Sequence, residues 1–399
     1  MEDLSVGIVG GSVGGLTAAC LLRDAGHRVS VFERSATPLV ARGAGIGLLP
    51  TTSRYLVERA GVTLSDIAVA TSEIRYLDRD GSVTDVEAHD YLFSSWTTVY
   101  RLLLAHWERT ASGEDRYLLG REMVGFATGA DGRVTIDFAD GAAATVDLLV
   151  CADGIGSTAR SQLLPSVEQR YAGYAAWRGT FPERRLSAAT QRIIDDGITY
   201  FVYPQSHILA YPIPAADGSV AAGERLANFV WYRNHADGEE LDGVLTDVDG
   251  HRRSLSVPPG MLAHEHRDEL WATAERVLPP PLTELVTRCP EPFVQVVYDV
   301  EVDRMAFGPV CLLGDAAFNA RPHAAAGTAK AADDAWRLVE AIAAESSVEA
   351  ATARYERTQL DLGRRLLART QAIGERSQVT STWRVGDPEL VFGLHRPGD

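Results

Sequence analysis

The stretch from Ile8 to Leu22, IVGGSVGGLTAACLL, restricts what this chain can fold into more than any other. The apolar run LSVGIV leads into a glycine-rich turn, then a helical pattern from Leu16 to Asp24, with Gly26 placed as a stop. RVSVFE supplies a second strand, giving a parallel strand–helix–strand crossover of about 30 residues. Such a turn aims backbone N–H groups and a helix N-terminus at an anion, above all a pyrophosphate. Counted from Gly10, the dinucleotide pattern G-x-G-x-x-G has Ser12 in place of its middle glycine and Gly15 at its last position. Glu33 ends the second strand about 20 residues on, where an acidic side chain meets a ribose hydroxyl. Ser12 leaves two readings, a nucleotide site that tolerates serine or a purely structural turn.

Composition narrows the field. A chain of 399 residues, 46% hydrophobic and 23% charged, is an ordinary globular sequence long enough for two lobes. A net charge of -16 argues against nucleic acid or an anionic membrane as the main partner. Cys20, Cys151, Cys289 and Cys311 are scattered without a C-x-x-C pair, which fits a reducing cytoplasm and no metal cluster. The strand pattern beginning by Leu4 leaves no room for a signal peptide, and no apolar run approaches ~20 residues. A cytoplasmic protein without a membrane span is expected.

Two distant segments complete the nucleotide reading. LLVCADGIGSTARSQLL runs from an apolar strand into Asp153-Gly154 and then a helix with Ser157 and Arg160. VCLLGDAAFNARPHAAAGTAKAADDA ends a strand at Gly314-Asp315, carries Pro322 in a loop, and opens a helix around Gly327. An aspartate at a strand end can accept hydrogen bonds from ribityl hydroxyls. Small residues at a helix N-terminus let N–H groups approach the pyrimidine side of a flavin, where negative charge collects on reduction. Between these segments lie strand-like runs, YAAWRGTF, ITYFVYP, HILAYPIP and LANFVWYR, and after Val348 a long arginine-studded helix.

With this ordered set of motifs, nearly the whole chain resembles the single-component FAD-dependent aromatic hydroxylases, the para-hydroxybenzoate hydroxylase group. GGSVGGLTAACLLRDAG, YAGYAAWRG, LAYPIP and RPHAAAGTAKAADDA are closest to its 2,6-dihydroxypyridine 3-hydroxylase branch. The resemblance implies an α/β fold, a Rossmann-type FAD-binding domain interleaved with a smaller β-sheet substrate domain, plus C-terminal helices. The FAD-binding segments are expected at 1–70, 97–168 and 290–345, the substrate domain at 71–96 and 169–289, and the helical segment at 346–399. Gly10, Ser12 and Gly15 would cradle the pyrophosphate of a bound FAD, with Glu33 and Arg34 at the adenosine end. Arg101 would contact the flavin; its plainer reading is an ordinary helix-surface arginine. Asp153 would lie near the cofactor and Asp315 would hold the ribityl chain. Pro322 would border the flavin ring, with Gly327, Thr328 and Ala329 at the helix start. Two positions depart from the family, Phe318 for a histidine and Ala329 for an asparagine.

The implied activity is a monooxygenase: NAD(P)H reduces FAD, O2 adds to form a flavin hydroperoxide, and an electron-rich hydroxylated aromatic, here a hydroxypyridine, receives the OH. NAD(P)H would be a transient co-substrate, and the absence of a second glycine fingerprint is expected. Deprotonation of the substrate hydroxyl favours the reaction and calls for a group titrating near neutrality. His207 and Tyr211 fall on one face of a strand with Leu209, and His323 follows Pro322 in the flavin loop. Two have a plainer reading, core packing for Tyr211 and surface exposure for His207, whereas the position of His323 is harder to explain as packing. Trp177, Trp231 and Tyr232 read as sheet core or as a substrate wall, and Arg178 as an anion contact or half of an ion pair. A phenolic natural-product intermediate is the alternative substrate. A flavin-dependent halogenase is weaker, because Lys330, the only lysine, is poorly placed and W-x-W-x-I-P is missing. A non-catalytic flavin-binding protein is the third alternative, and a homodimer is left open.

Overall fold

The computed structural model describes residues 1, 3–39, 44–388 and 391–399. Its first sheet has six strands in the order Ala306–Phe307, Val310–Leu312, Leu148–Cys151, Ser5–Val9, Arg28–Glu33 and Arg116–Leu119. All neighbours in it are parallel except the Ala306–Phe307 hairpin. Parallel strands need crossovers, and helices Val13–Asp24, Trp96–Thr110 and Gly327–Ala344 supply cover for strands that are apolar on both faces. Val6, Ile8, Val29, Val31, Leu149 and Val150 are all fully buried at its centre.

The second sheet has nine strands, ordered Ser256–Val257, Phe293–Asp299, Arg170–Pro182, Leu226–Asn234, Ser206–Ile213, Gly197–Tyr203, Val69–Leu77, Val83–Ser95 and Gly45–Gly47. Side chains alternate across it. One face carries Trp177, Phe229 and Trp231 into a core closed by helices His264–Val277 and Pro280–Arg288. Full burial of each such ring stabilises the fold by about 2–3 kcal/mol. The opposite face carries Tyr174, Ala176, Leu209, Tyr211, Val230 and Tyr232 toward the first lobe. A three-stranded sheet, Met123–Thr128, Val134–Phe138 and Ala143–Val146, lies beside the six-stranded one, with Gly132 and Gly141 at positive φ in its turns.

The interleaving runs deeper than the sequence boundaries imply. Gly45–Gly47 and Phe293–Asp299, assigned from sequence to the FAD-binding segments, pair instead within the nine-stranded sheet. Their runs are short and apolar, so nothing local marks the sheet they join. The long helix Val348–Gly374 passes into a π-helical turn, Glu375–Val379, whose residues pack on strands of the second sheet. The four cysteines are buried and free. Among the described residues no helix is long and apolar enough to cross a membrane.

Candidate active site

Two adjoining cavities, one between the six- and nine-stranded sheets and a smaller one within the six-stranded lobe, share Ser12, Leu39, Ala152 and Gly154 in their walls. The smaller, about 180 Å³, is lined by Gly10, Glu33, Arg34, Asp153 and Thr158. The larger, about 590 Å³, runs from Gly14 and Gly15 past Asp315, Pro322, Gly327 and Thr328 to the open face of the nine-stranded sheet. The pair therefore forms one elongated groove, suited to a dinucleotide with a second small molecule at its far end.

The glycine turn explains why Ser12 is tolerated. A Cβ on Gly10, at φ +101°, would lie 2.2 Å from the Ala152 carbonyl oxygen, and one on Gly15 only 1.9 Å from the Gly10 carbonyl oxygen. These two glycines are required by backbone approaching backbone. Ser12 is under no such constraint: it is the N-cap of helix Val13–Asp24 in extended conformation, and its side chain makes no capping bond. Leu16 N–H is the first to find a carbonyl within the helix, that of Ser12, so the N–H groups of Val13, Gly14 and Gly15 have no acceptor among the described residues. Three free N–H groups, a free hydroxyl and the positive helix end fit a pyrophosphate. Ser12→Ala is expected to weaken FAD binding about tenfold, the worth of one hydrogen bond to a charged phosphate. Titration of apoprotein with FAD, read by quenching of flavin fluorescence, checks this; unchanged affinity would mean the hydroxyl is a bystander.

Glu33 is buried, accepting from Gly11 N–H at 2.9 Å and Ser35 N–H at 2.8 Å, and each carboxylate oxygen keeps a lone pair for a ribose hydroxyl. Asp153 caps the short helix Thr158–Leu163, accepting from Ser157 Oγ at 2.6 Å and Ala159 N–H at 3.2 Å. Arg160, from that helix, donates to the carbonyls of Ile155 and, at 3.0 Å, Ala316, tying the Asp153-Gly154 and Gly314-Asp315 turns together. Asp315 opens onto the larger cavity, yet protein surrounds it densely enough to raise its carboxyl to about 6. Lys330 opposes that rise from within the protein, where its Nζ pairs with Asp334 at 2.5 Å. Lys330 is therefore held in an ion pair, against any role relaying a reactive halogen species. At the start of helix Gly327–Ala344, the N–H groups of Gly327, Thr328 and Ala329 also lack acceptors among the described residues. Ala329 offers only its backbone, since its side chain packs against Leu362 and Leu366. Phe318 packs its ring against Gly363, away from the cavity.

Arg101 departs from the expectation. It sits on the exposed side of helix Trp96–Thr110, opposite Val99, Tyr100 and Leu103, lines neither cavity, and donates to the Ala216 carbonyl at 3.1 Å.

At the sheet end, His207, Leu209 and Tyr211 all line the cavity. Tyr211 donates its hydroxyl to the Gly45 carbonyl at 3.1 Å and stacks on Phe93, centroids 4.1 Å apart, so that hydroxyl is already engaged. His207 is fully enclosed rather than on the surface, and burial lowers its pKa to about 3. His323 also lines the cavity; its Nε2 lies 2.6 Å from the Tyr174 hydroxyl, and burial drives its pKa well below the usual imidazole value. Arg321 approaches the same hydroxyl at 3.5 Å while paired with Asp299. Trp177 and Trp231 belong to the far core, whereas Tyr232 lines the cavity. Arg178 forms no ion pair among the described residues: it donates to the Gly45 carbonyl at 2.8 Å and to Gln295 Oε1 at 2.9 Å. Residues that sequence reasoning missed are Tyr174, Gln295, Gln378, Trp383 and Phe392, of which all but Gln378 touch the cavity directly or through His323. Tyr174 lies within YAGYAAWRG, but nothing there assigned it a role; the others carry no motif, and only the fold brings them to the site.

The sequence profile of an FAD binding domain matches residues 3–217, and that of an FAD binding domain-like region matches 171–299. The chain belongs to the FAD binding domain family. It is 37% identical to 2,6-dihydroxypyridine 3-monooxygenase of Paenarthrobacter nicotinovorans over 98% of this chain and 95% of that one. It is 29% identical to 3-amino-4-hydroxybenzoate 2-monooxygenase of Streptomyces cremeus over 90% of this chain and 84% of that one. Among solved structures, 2,6-dihydroxypyridine-3-hydroxylase from Arthrobacter nicotinovorans superposes with a TM-score of 0.91 at 35% identity, covering 100% of this chain and 99% of that one. This flavoprotein is thus an FAD-dependent monooxygenase that uses NAD(P)H and O2 on a small aromatic substrate.

Proposed function

We propose that the chain hydroxylates a small hydroxypyridine held between the flavin loop and the open face of the nine-stranded sheet. The observation that carries this is the larger cavity, which joins the free N–H groups of Gly327–Ala329 to a wall of apolar rings and neutral polar groups that includes one cation, Arg178. The chain's similarity to 2,6-dihydroxypyridine 3-monooxygenase, in sequence and in solved structure, supports the substrate class. In this reading the six-stranded lobe holds FAD along Glu33, Arg34, Gly10, Ser12, Gly15, Asp153 and Asp315, with Pro322, Gly327, Thr328 and Ala329 at the ring. FAD, once bound, would take two electrons from NAD(P)H and pass them to O2, so that one oxygen atom goes to the ring and the other to water.

The protein's own work is placement and exclusion of water. Phe93, Tyr211, Trp383 and Phe392 close the far end with apolar surface. His207 and His323 present imidazoles that burial keeps neutral, able to meet a ring oxygen or nitrogen without adding charge. Tyr211 positions the Gly45 strand through its hydroxyl.

A second reading, a carboxylated phenol, is favoured by Arg178, a cavity-lining cation with no acidic partner among the described residues. The chain is read further as cytoplasmic and without a nucleic acid partner, and a homodimer is to be sought by light scattering. The deciding experiment supplies the FAD-loaded protein with NADH or NADPH and a panel of hydroxypyridines and hydroxybenzoates. A hydroxypyridine is expected to speed nicotinamide oxidation and return a product one oxygen heavier. If only carboxylated phenols do so, the second reading stands; if no aromatic gains oxygen, hydroxylation itself is refuted.

A further inference from the structure

His207 has two ring nitrogens, and the fold treats them differently. Nδ1 lies 3.0 Å from Nε2 of Gln378, while Nε2 makes no hydrogen bond to protein among the described residues and His207 lines the cavity. An amide N–H only donates, so Nδ1 must accept, and the single proton of the neutral imidazole then sits on Nε2. The rings around His207 are Tyr232 at 4.6 Å, Trp383 at 5.0 Å, His323 at 5.5 Å and Tyr200 at 6.3 Å. None of these bears a formal charge that would hold a second proton on the imidazole, and burial holds the ring neutral.

The direction of the Gln378 amide follows from its neighbour. Ser377 Oγ donates its only proton to the Gly374 carbonyl at 3.3 Å, so toward Gln378 it can only accept. Gln378 Nε2 lies 3.4 Å from that oxygen as well as facing His207. As it stands, Gln378 leaves its Oε1 buried without a donor; turned over, the amide would set a carbonyl oxygen against Ser377 and close off an NH2 group, two buried donors in place of one buried acceptor. The backbone is equally fixed: the π-helical turn Glu375–Val379 closes through Thr380 N–H on the Glu375 carbonyl at 2.9 Å, and the Gln378 carbonyl accepts from Asn234 Nδ2 at 2.8 Å. Extra residues of this kind inside a helix recur where a side chain must be aimed at a site.

We infer that Gln378 is a positioning residue that locks His207 in the tautomer with the proton on Nε2, so that His207 donates a hydrogen bond to the substrate and does not serve as its base. The ring oxygen it meets is then an acceptor, a pyridone carbonyl or an oxyanion. This deepens the proposed hydroxypyridine reading and rests on it for the identity of the ligand, but the tautomer itself is a property of the protein alone.

The test has an arm for each. In FAD-loaded protein labelled with 15N-histidine, long-range 1H–15N spectra report the tautomer, with His207 assigned by its loss in His207→Gln. The expected pattern is protonated Nε2 and bare Nδ1 from pH 6 to 8. A proton on Nδ1, or a charged ring, overturns the inference whether or not any ligand binds. The second arm measures affinity for 2,6-dihydroxypyridine by perturbation of the flavin spectrum. In Gln378→Glu the carboxylate draws the proton to Nδ1, and affinity is expected to fall at least tenfold at high pH and recover as the pair regains its proton. Gln378→Leu leaves the imidazole free to choose and should lose threefold or less at every pH. A merely structural Gln378 predicts the reverse order, with leucine the worse substitution and no pH dependence peculiar to glutamate. Retained flavin absorbance certifies that each variant is folded. Should 2,6-dihydroxypyridine fail to bind the unmodified protein, the substrate reading falls while the spectra still decide the tautomer.

Discussion

Gly15→Ala will leave a protein that no longer retains FAD. Its new methyl would lie 1.9 Å from the Gly10 carbonyl oxygen, and neither partner is a flexible side chain that can turn aside. Relief requires helix Val13–Asp24 to back away from strand Ser5–Val9, which carries the free N–H groups of Val13–Gly15 with it. Forced overpacking of this kind costs about 3 kcal/mol or more, which corresponds to at least about a 100-fold loss of affinity. Gly10→Ala should behave alike, since its Cβ meets the Ala152 carbonyl at 2.2 Å from a positive φ that alanine also resists. Ser12→Gly is the control: it removes a side chain nothing constrains, and should change retention far less. Absorbance at the flavin band after desalting, with circular dichroism to certify folding, reads all three. Retention by Gly15→Ala close to that of the unmodified chain would show that the turn does not set the pyrophosphate site.

Asp315→Asn is expected to weaken FAD binding about 10- to 100-fold at pH 7.5, the worth of charge-assisted hydrogen bonds from ribityl hydroxyls. Its pH dependence makes the claim sharper. Burial raises the Asp315 carboxyl to about 6 in the apoprotein. Donors bind the ionised form better, so FAD affinity should be full above that value and fall as pH drops through it, whereas the asparagine variant should show no such slope. Stability of the apoprotein runs the other way. Between the ordinary carboxylate value and about 6, the folded chain holds a proton that the unfolded chain has released, so this group subtracts from stability as pH rises through that window. The apo variant should therefore melt above the unmodified apoprotein at pH 7.5, with the gap closing toward pH 4.5. Parallel FAD-affinity slopes in the two proteins would remove Asp315 from the cofactor's contacts.

Legibility from sequence followed range. The strand–turn–helix unit, the Asp153-Gly154 and Gly314-Asp315 turns and the alternation of His207, Leu209 and Tyr211 are local patterns, and each occupies the wall of a cavity. Whether a side chain is free is a different question. Tyr211 and His207 share a face of their strand, but the Gly45 carbonyl occupies the hydroxyl of one while Gln378 occupies only half of the other. Gly45 and Gln378 lie far from that strand in sequence, one in a short strand and one in a helical turn, and neither position carries a pattern. Arg101 failed for the same reason in reverse: its helix was legible, but the direction of one residue on that helix depends on which face is buried. The strand Phe293–Asp299 was misassigned because an apolar run does not say which sheet it will join.

The two sheets also bear on how such a protein can change over time. Strand Gly45–Gly47 enters the nine-stranded sheet between segments of the other lobe, and Phe293–Asp299 leaves it just before the chain returns to the six-stranded one. No single pair of cuts lifts out a substrate module that another chain could donate. New substrate preferences must therefore arrive by point substitution on the cavity-lining sheet face, while the cofactor half stays fixed. Divergence in this architecture is a matter of repainting one wall, never of exchanging rooms.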